Sequence, residues 1–180
     1  VDKITPKVTE TAKILWLTYF GLTAAETLLL LLGGMNLFDA LTHTFGTLAT
    51  GGFSPKNTSV GFFTSPFIHV VVTAFMVMAG VNFVMYYKLL TGRGLELSQD
   101  TELKAYLIIF AAGSLATAAG LHVNGVYESF GTSLRFGAFQ AASILTTTGY
   151  VTTDFAAWPA VSQGVLFVLM FIGGCAGSTG

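Results

Sequence analysis

"TLATGGFS", residues 47–54, lies between two long apolar runs and carries no charge. It is built from small residues, hydroxyls and glycine. A second strip, "TTTGYVTTDF", occupies 146–155 in the same kind of setting. The fold turns on why one chain twice places a Thr-x-Gly-aromatic strip between hydrophobic segments.

The flanking sequence sets the solvent. Hydrophobic residues make up 53% of the 180 and charged residues only 9%, with a mean hydropathy of +0.71. A soluble domain carries roughly 25% charge, so the surface of this chain is expected to face lipid. The net charge is −1 and no basic tract is present, which excludes a phosphate-tracking nucleic-acid binder. One cysteine, Cys175, excludes an internal disulfide and a cysteine-based metal cluster. The opening "VDKITPKVTE" is not a signal peptide. The lack of an initiating Met reads as a piece of a longer chain.

A bilayer core needs about 20 residues of helix. Four segments read as spans: roughly 12–35, 65–90, 103–123, and one starting near Trp158. The firmly apolar part of the fourth, 164–172, is too short to cross and runs into "GGCAGSTG". With four glycines in eight residues there, the helix is expected to break near 173–177, since each Gly costs about 1 kcal/mol relative to Ala. Residues 36–50 and 130–148 are semi-apolar and read as re-entrant half-helices, about 22–28 Å long at most. Asn36 with Asp39 suggests a cap for the first, and Thr132 or Ser133 for the second.

The order is therefore span, half-helix, Gly strip, span, and then the same again. Thr50-Gly51-Gly52-Phe53 falls on Thr147-Thr148-Gly149-Tyr150, and "FMVMAG" (75–80) falls on "LMFIGG" (169–174). Two copies of one unit of about 80–95 residues are expected, divided as 1–95 and 96–180. The fold class is all-α membrane protein, a repeat of membrane helix, re-entrant pore helix, filter strip and membrane helix. Six of the eight basic residues, Lys3, Lys7, Lys13, Lys88, Arg93 and Lys104, flank the first span or the 88–104 connection. Lys56 and Arg135 lie on the half-helix side. The positive-inside rule then puts the N-terminus in the cytoplasm and opens both strips outward.

Non-helical backbone at membrane depth must be buried in protein or line water. Thr, Gly and Ser offer closely spaced carbonyls and hydroxyls, which suit a dehydrated monovalent cation. Glycine lets carbonyls turn toward one axis. Each half-helix aims its negative C-terminal end at the strip that follows. Each strip thus reads as one wall of an ion selectivity filter; a tight turn between helices is the plainer alternative. No nucleophile–base pair or metal triad is present, so an enzyme is not expected. A secondary transporter with a midplane site for an organic solute and a coupling cation is the competing reading.

"TLATGGFS", "FQAASILTTTGYVTTDFAAWP" and "GGCAGSTG" resemble the Trk/Ktr/HKT superfamily of potassium transporters, and within it the TrkH-like branch. The resemblance covers nearly the whole chain. It implies four membrane-pore-membrane units around one pore, with the second and most of the third in this chain. It implies potassium uptake, with K+ held in a filter at Thr50, Gly51, Gly52, Phe53, Thr147, Thr148, Gly149 and Tyr150. Gly173, Gly174, Cys175, Ala176, Gly177 and Ser178 would form a gate loop below that filter. The family further implies a homodimer, a cytosolic nucleotide-binding regulatory subunit of the TrkA type, the inner membrane of a bacterium, and no cofactor beyond the transported K+. K+ over Na+ preference and the coupling ion are not fixed by these residues. Replacing Gly52 or Gly149 with Ser is expected to weaken ion discrimination more than it lowers protein level.

Glu26 is an ionisable group in an apolar span, which flags function or a hydrogen bond to a neighbouring half-helix. His43 and His69 read as structural. Asp154 either concentrates cations outside the strip or caps the next helix beside Trp158 and Pro159. Asn82 is expected to hydrogen-bond across helices, and Arg135 to meet headgroups. Gly33, Gly34, Gly113 and Gly120 read as close-packing positions. Asn57-Thr58-Ser59 is a glycosylation sequon without meaning in a bacterium. "LELSQDTELK" (95–104) reads as a solvated loop or helix start.

Overall fold

The computed structural model describes residues 4–90 and 100–179. Lys3, Arg93 and most of the 88–104 connection lie outside the described residues, as does the expected unit boundary at 95/96. Among the described residues the chain is all-helical, without strands. The helices are α1 (Ile4–Leu32), α2 (Leu37–Leu48), α3 (Pro66–Ala79), α4 (Phe83–Leu90), α5 (Thr101–Val123), α6 (Phe130–Leu145) and α7 (Ala160–Leu169). Single 3-10 turns at Ser59–Phe62 and Phe155–Ala157 follow the two strips.

Two helical stretches, Ala12–Leu32 and Thr101–Val123, are long and apolar enough to cross a membrane. Leu17, Phe20 and Leu32 on α1 are largely exposed, as befits a helix whose outer side meets something apolar. Gly34, at φ +97°, ends α1 in a turn, with nothing near a Cβ there. It is not a packing site. Gly33 is one, because a Cβ would sit 2.8 Å from Ile68 of α3. Gly113 likewise admits the Leu169 side chain.

Both half-helices form. The Asn36 carboxamide oxygen accepts the Asp39 N–H at 2.8 Å, closing the expected cap on α2. On α6 the cap is Ser129, whose hydroxyl accepts the Gly131 N–H at 3.2 Å. Thr132 and Ser133, the expected caps, already lie inside the helix. Helix α2 packs on α1 and α3, and α6 packs on α5 and α7. The two groups join where α3 meets α6. One buried cluster holds Leu30, Leu48, Val72, Met76, Phe139 and Tyr150; the other includes Leu121, Leu145, Trp158 and Leu166.

The span expected over 65–90 is not continuous. Helix α3 stops at Ala79 and α4 begins at Phe83. A helix end buried in an apolar setting leaves its last carbonyls without partners. Here each one is met from elsewhere in the chain. The Tyr106 hydroxyl donates to the Val77 carbonyl at 2.9 Å and the Tyr86 hydroxyl to Met78 at 2.5 Å. The Thr179 hydroxyl donates to Ala79 at 3.1 Å, and the Cys175 N–H to Gly80 at 2.9 Å. Asn82, expected to bond across helices, instead caps α4 by accepting the Val84 N–H at 2.9 Å. Helix α7 also ends early, at Leu169, four residues before the expected interval begins.

Candidate functional site

The two strips leave their half-helices in the same way. The Gly52 N–H bonds back to the Gly46 carbonyl, and the Gly149 N–H bonds to the Ser143 carbonyl, at the same spacing and the same 3.1 Å. Thr50 and Thr147 both adopt positive φ, at 49° and 59°. Gly52 and Gly149, two residues on in each strip, do so too, at 63° and 86°. A β-branched residue at positive φ is an outlier and costs on the order of 1–3 kcal/mol. Here it recurs at the same place in both strips.

The strips lie side by side. A Cβ on Gly52 would strike the Thr148 carbonyl of the other strip, whereas a Cβ on Gly149 would meet nothing within 4 Å. Gly51, Phe53, Thr147 and Gly149 are exposed, Thr50 and Gly52 half-buried, and Thr148 and Tyr150 buried. Tyr150 ties the strips together. Its hydroxyl lies between the carbonyls of His43, at 3.0 Å, and Phe53, at 3.1 Å, and shares its one hydrogen between them. Gly46 leaves room for that hydroxyl. The Tyr150 carbonyl accepts the Ser143 hydroxyl at 2.6 Å, and the Thr146 and Thr148 hydroxyls pair at 2.8 Å. Past the glycines, the Gly61 N–H donates to the Val151 carbonyl at 3.0 Å.

A polar clamp holds the end of the first strip. The His43 ring bonds the Asp39 carbonyl at 2.7 Å and the Ser54 hydroxyl at 2.9 Å. Lys56 pairs with the buried Asp39 at 3.0 Å and lies over the Phe62 ring. His43 is thus structural. So is His69, which bonds the Phe63 carbonyl at 2.7 Å and packs against Phe136 and Phe139. Asp154 caps the 3-10 turn through the Ala156 N–H at 3.0 Å. The Arg135 guanidinium rests on Phe136, 4.7 Å from the ring centre. Among the described residues no group of three metal-ligating side chains occurs.

Residues 173–179 are non-helical, with Gly173 and Gly177 at positive φ. The segment is docked into the break between α3 and α4. Besides the bonds to Ala79 and Gly80, the Phe83 N–H donates to the Gly177 carbonyl at 3.2 Å. Cys175 is buried. Two further bonds reach outward. The Thr50 hydroxyl of the first strip donates to the Thr179 carbonyl at 2.7 Å. The Ala176 N–H donates to the Glu102 carboxylate, in the first turn of α5, also at 2.7 Å. Glu102 and Gly80 were not legible as parts of this site, and Thr179 lies in "GGCAGSTG" just past the expected gate residues. Gly80 left a signal through its alignment with Gly174.

A family model described as TrkH, cation transport protein, matches residues 1–180. The Trk system potassium uptake protein TrkH of Salmonella typhimurium is 39% identical over 180 residues, 99% of this chain and 37% of the relative. Its namesake from Halomonas elongata is 41% identical over 181 residues, again 99% of this chain and 37% of the relative. The crystal structure of the potassium transporter TrkH from Vibrio parahaemolyticus superimposes with a TM-score of 0.91 at 37% identity, covering 100% of this chain and 39% of that one. The chain therefore spans well under half the length of the proteins it matches.

Proposed function

The chain belongs to the TrkH family of cation transport proteins, and from that premise we propose that it supplies two walls of a K+-selective pore in a bacterial inner-membrane uptake system. One observation carries the reading. Two half-helices end in strips of the same unusual backbone, Thr and Gly at positive φ, and the strips pack edge to edge. Thr50–Phe53 and Thr147–Tyr150 hold the ion, and their exposed members face its path. The units are 1–95 and 96–180. Residues 173–178 form the gate, docked across the break in the second span. The N-terminal end of α1 lies in the cytoplasm, and the intact protein works as a homodimer with a TrkA-like nucleotide-binding subunit. The protein carries cargo and performs no chemistry on it.

An organic-solute site is not favoured. Both half-helices direct their C-terminal, electronegative ends at the strips, and Lys56, the basic residue that follows the first along the chain, is held by Asp39. The test is uptake by the intact protein in cells lacking other K+ uptake. Gly149→Ser should admit Na+ more readily while protein level is kept. Unchanged ion preference would reject the filter assignment.

A further inference from the structure

The segment 173–179 is held from two sides. At the break between α3 and α4, the Thr179 hydroxyl and N–H both donate to the Ala79 carbonyl, at 3.1 and 3.3 Å. The Cys175 N–H donates to Gly80 at 2.9 Å. At the first strip, the Thr50 hydroxyl lies 2.7 Å from the Thr179 carbonyl and 2.8 Å from the carbonyl of its own neighbour, Ala49. Thr50 and Thr179 are 129 residues apart in the chain, and both are half-buried. Thr147, at the same place in the second strip, is exposed. Among the described residues no hydrogen bond joins it to the segment.

A hydroxyl has one hydrogen to give, so the Ala49 and Thr179 carbonyls share it. They are not alike. Ala49 is joined to Thr50 by the chain, and its carbonyl stays within reach whatever the segment does. The Thr179 carbonyl is within reach only while the segment is docked. When the segment leaves, the Thr50 hydroxyl keeps a partner, and the cost of stranding a polar group is avoided on its side. Such a contact favours docking without locking it. The bonds at Ala79 and Gly80 fasten the segment to the break; the bond at Thr50 fastens it to a strip. We propose that Thr50 is a latch between filter and gate: its hydroxyl holds the docked segment by the Thr179 carbonyl, and undocking changes the partner of a side chain in the first strip while leaving the second strip untouched. Coupling between two sites is reciprocal, so altering the first strip at Thr50 shifts the gate.

This rests on the filter and gate readings above, so the experiment separates them. Maleimide labelling of the buried Cys175, followed by mass spectrometry of its peptide, is measured beside K+ flux in proteoliposomes of the intact protein. The variants are Thr50→Val, Thr50→Ser and Thr147→Val. Val has the shape of Thr without the hydroxyl, and Ser keeps the hydroxyl. Thr50→Val should label about threefold to fivefold faster than wild type, as loss of one hydrogen bond with a fallback partner allows. Thr50→Ser and Thr147→Val should both label at the wild-type rate. Wild-type labelling in Thr50→Val would overturn the proposal. Equal acceleration in Thr147→Val would do the same, because the strips would then be loosening in general. Thr50→Ser labelling as fast as Thr50→Val would also overturn it, since the methyl rather than the hydroxyl would be at work. If Thr50→Val does not fold, Thr50→Ala against Thr50→Ser decides in the same assay. The two underlying readings have other readouts. Faster labelling at unchanged flux would reject the segment as a gate, and unaltered ion preference in Gly149→Ser would reject the filter.

Discussion

The Tyr150 hydroxyl reaches the Phe53 carbonyl at 3.1 Å, across 97 residues of sequence, so the aromatic that follows Gly149 is bonded to the aromatic that follows Gly52. The two residues occupy equivalent places in the repeat, yet Tyr150 is fully buried and Phe53 is 80% exposed. One is a strut and the other faces out.

Removing that strut should loosen the register of the strips. Tyr150→Phe keeps the ring and loses the hydroxyl hydrogen shared between the His43 and Phe53 carbonyls. The expected cost is about 1 kcal/mol of stability, read as a small drop in melting temperature, with a measurable loss of K+ over Na+ preference in uptake. A variant with unchanged ion preference would mean that the strips hold their spacing without it.

Gly52 and Gly149, the glycines of the proposed filter, should respond differently. At Gly149 a side chain enters open space and meets only the cost of positive φ, about 1–2 kcal/mol. At Gly52 it also collides with the Thr148 carbonyl. Gly149→Ser should fold and lose ion discrimination, as the sequence leads one to expect. Gly52→Ser should in addition lower the amount of folded protein, which revises that expectation. Quantitative blotting beside ion-competition uptake separates the two outcomes.

The docked segment can be probed at Glu102. Glu102→Ala removes the acceptor of the Ala176 N–H on an exposed edge. Undocking should become more frequent by about threefold to tenfold. Basal K+ flux should rise, and the buried Cys175 thiol should react faster with maleimide, followed by mass spectrometry of its peptide. Thr179→Val, which removes a bond to Ala79, should act in the same direction. Labelling and flux that both stay at wild-type rates would exclude the segment as a gate.

Asn36→Ala should cost about 1 kcal/mol through loss of the α2 cap. It also releases the Asn36 bond to the Asp39 carboxylate, at 2.9 Å, and through Asp39 reaches Lys56 and His43. Thermal unfolding of the detergent-solubilised intact protein measures it. Asn36→Ser, which restores a capping oxygen, should recover most of the loss.

What could be read in advance followed from local physics. Apolar runs of sufficient length gave α1 and α5, and Asn36 with Asp39 marked the start of α2. The two Thr-x-Gly-aromatic strips marked where both half-helices end. The break after Ala79 was not legible, because "FMVMAGVNFVMYY" is apolar but for Asn82, and one glycine is tolerated within a helix. Apart from Tyr86, which lies in that window, what stabilises the break is remote: Tyr106, Cys175 and Thr179 supply the other donors, and no local window contains them with Gly80. The strut role of Tyr150 was hidden for the same reason. Its identity suggested an ion-facing aromatic, and only the space above Gly46 shows where its hydroxyl goes.

The matched strips have a genetic consequence. In a ring of identical subunits, any codon change is copied to every position around the axis, and the ring can only vary as a whole. Here the equivalents are separate stretches of one reading frame. Phe53 and Tyr150 already differ, one turned outward and the other folded in as a brace. On the proposed filter reading, each can mutate alone, so selectivity is adjustable in single-copy steps rather than all at once.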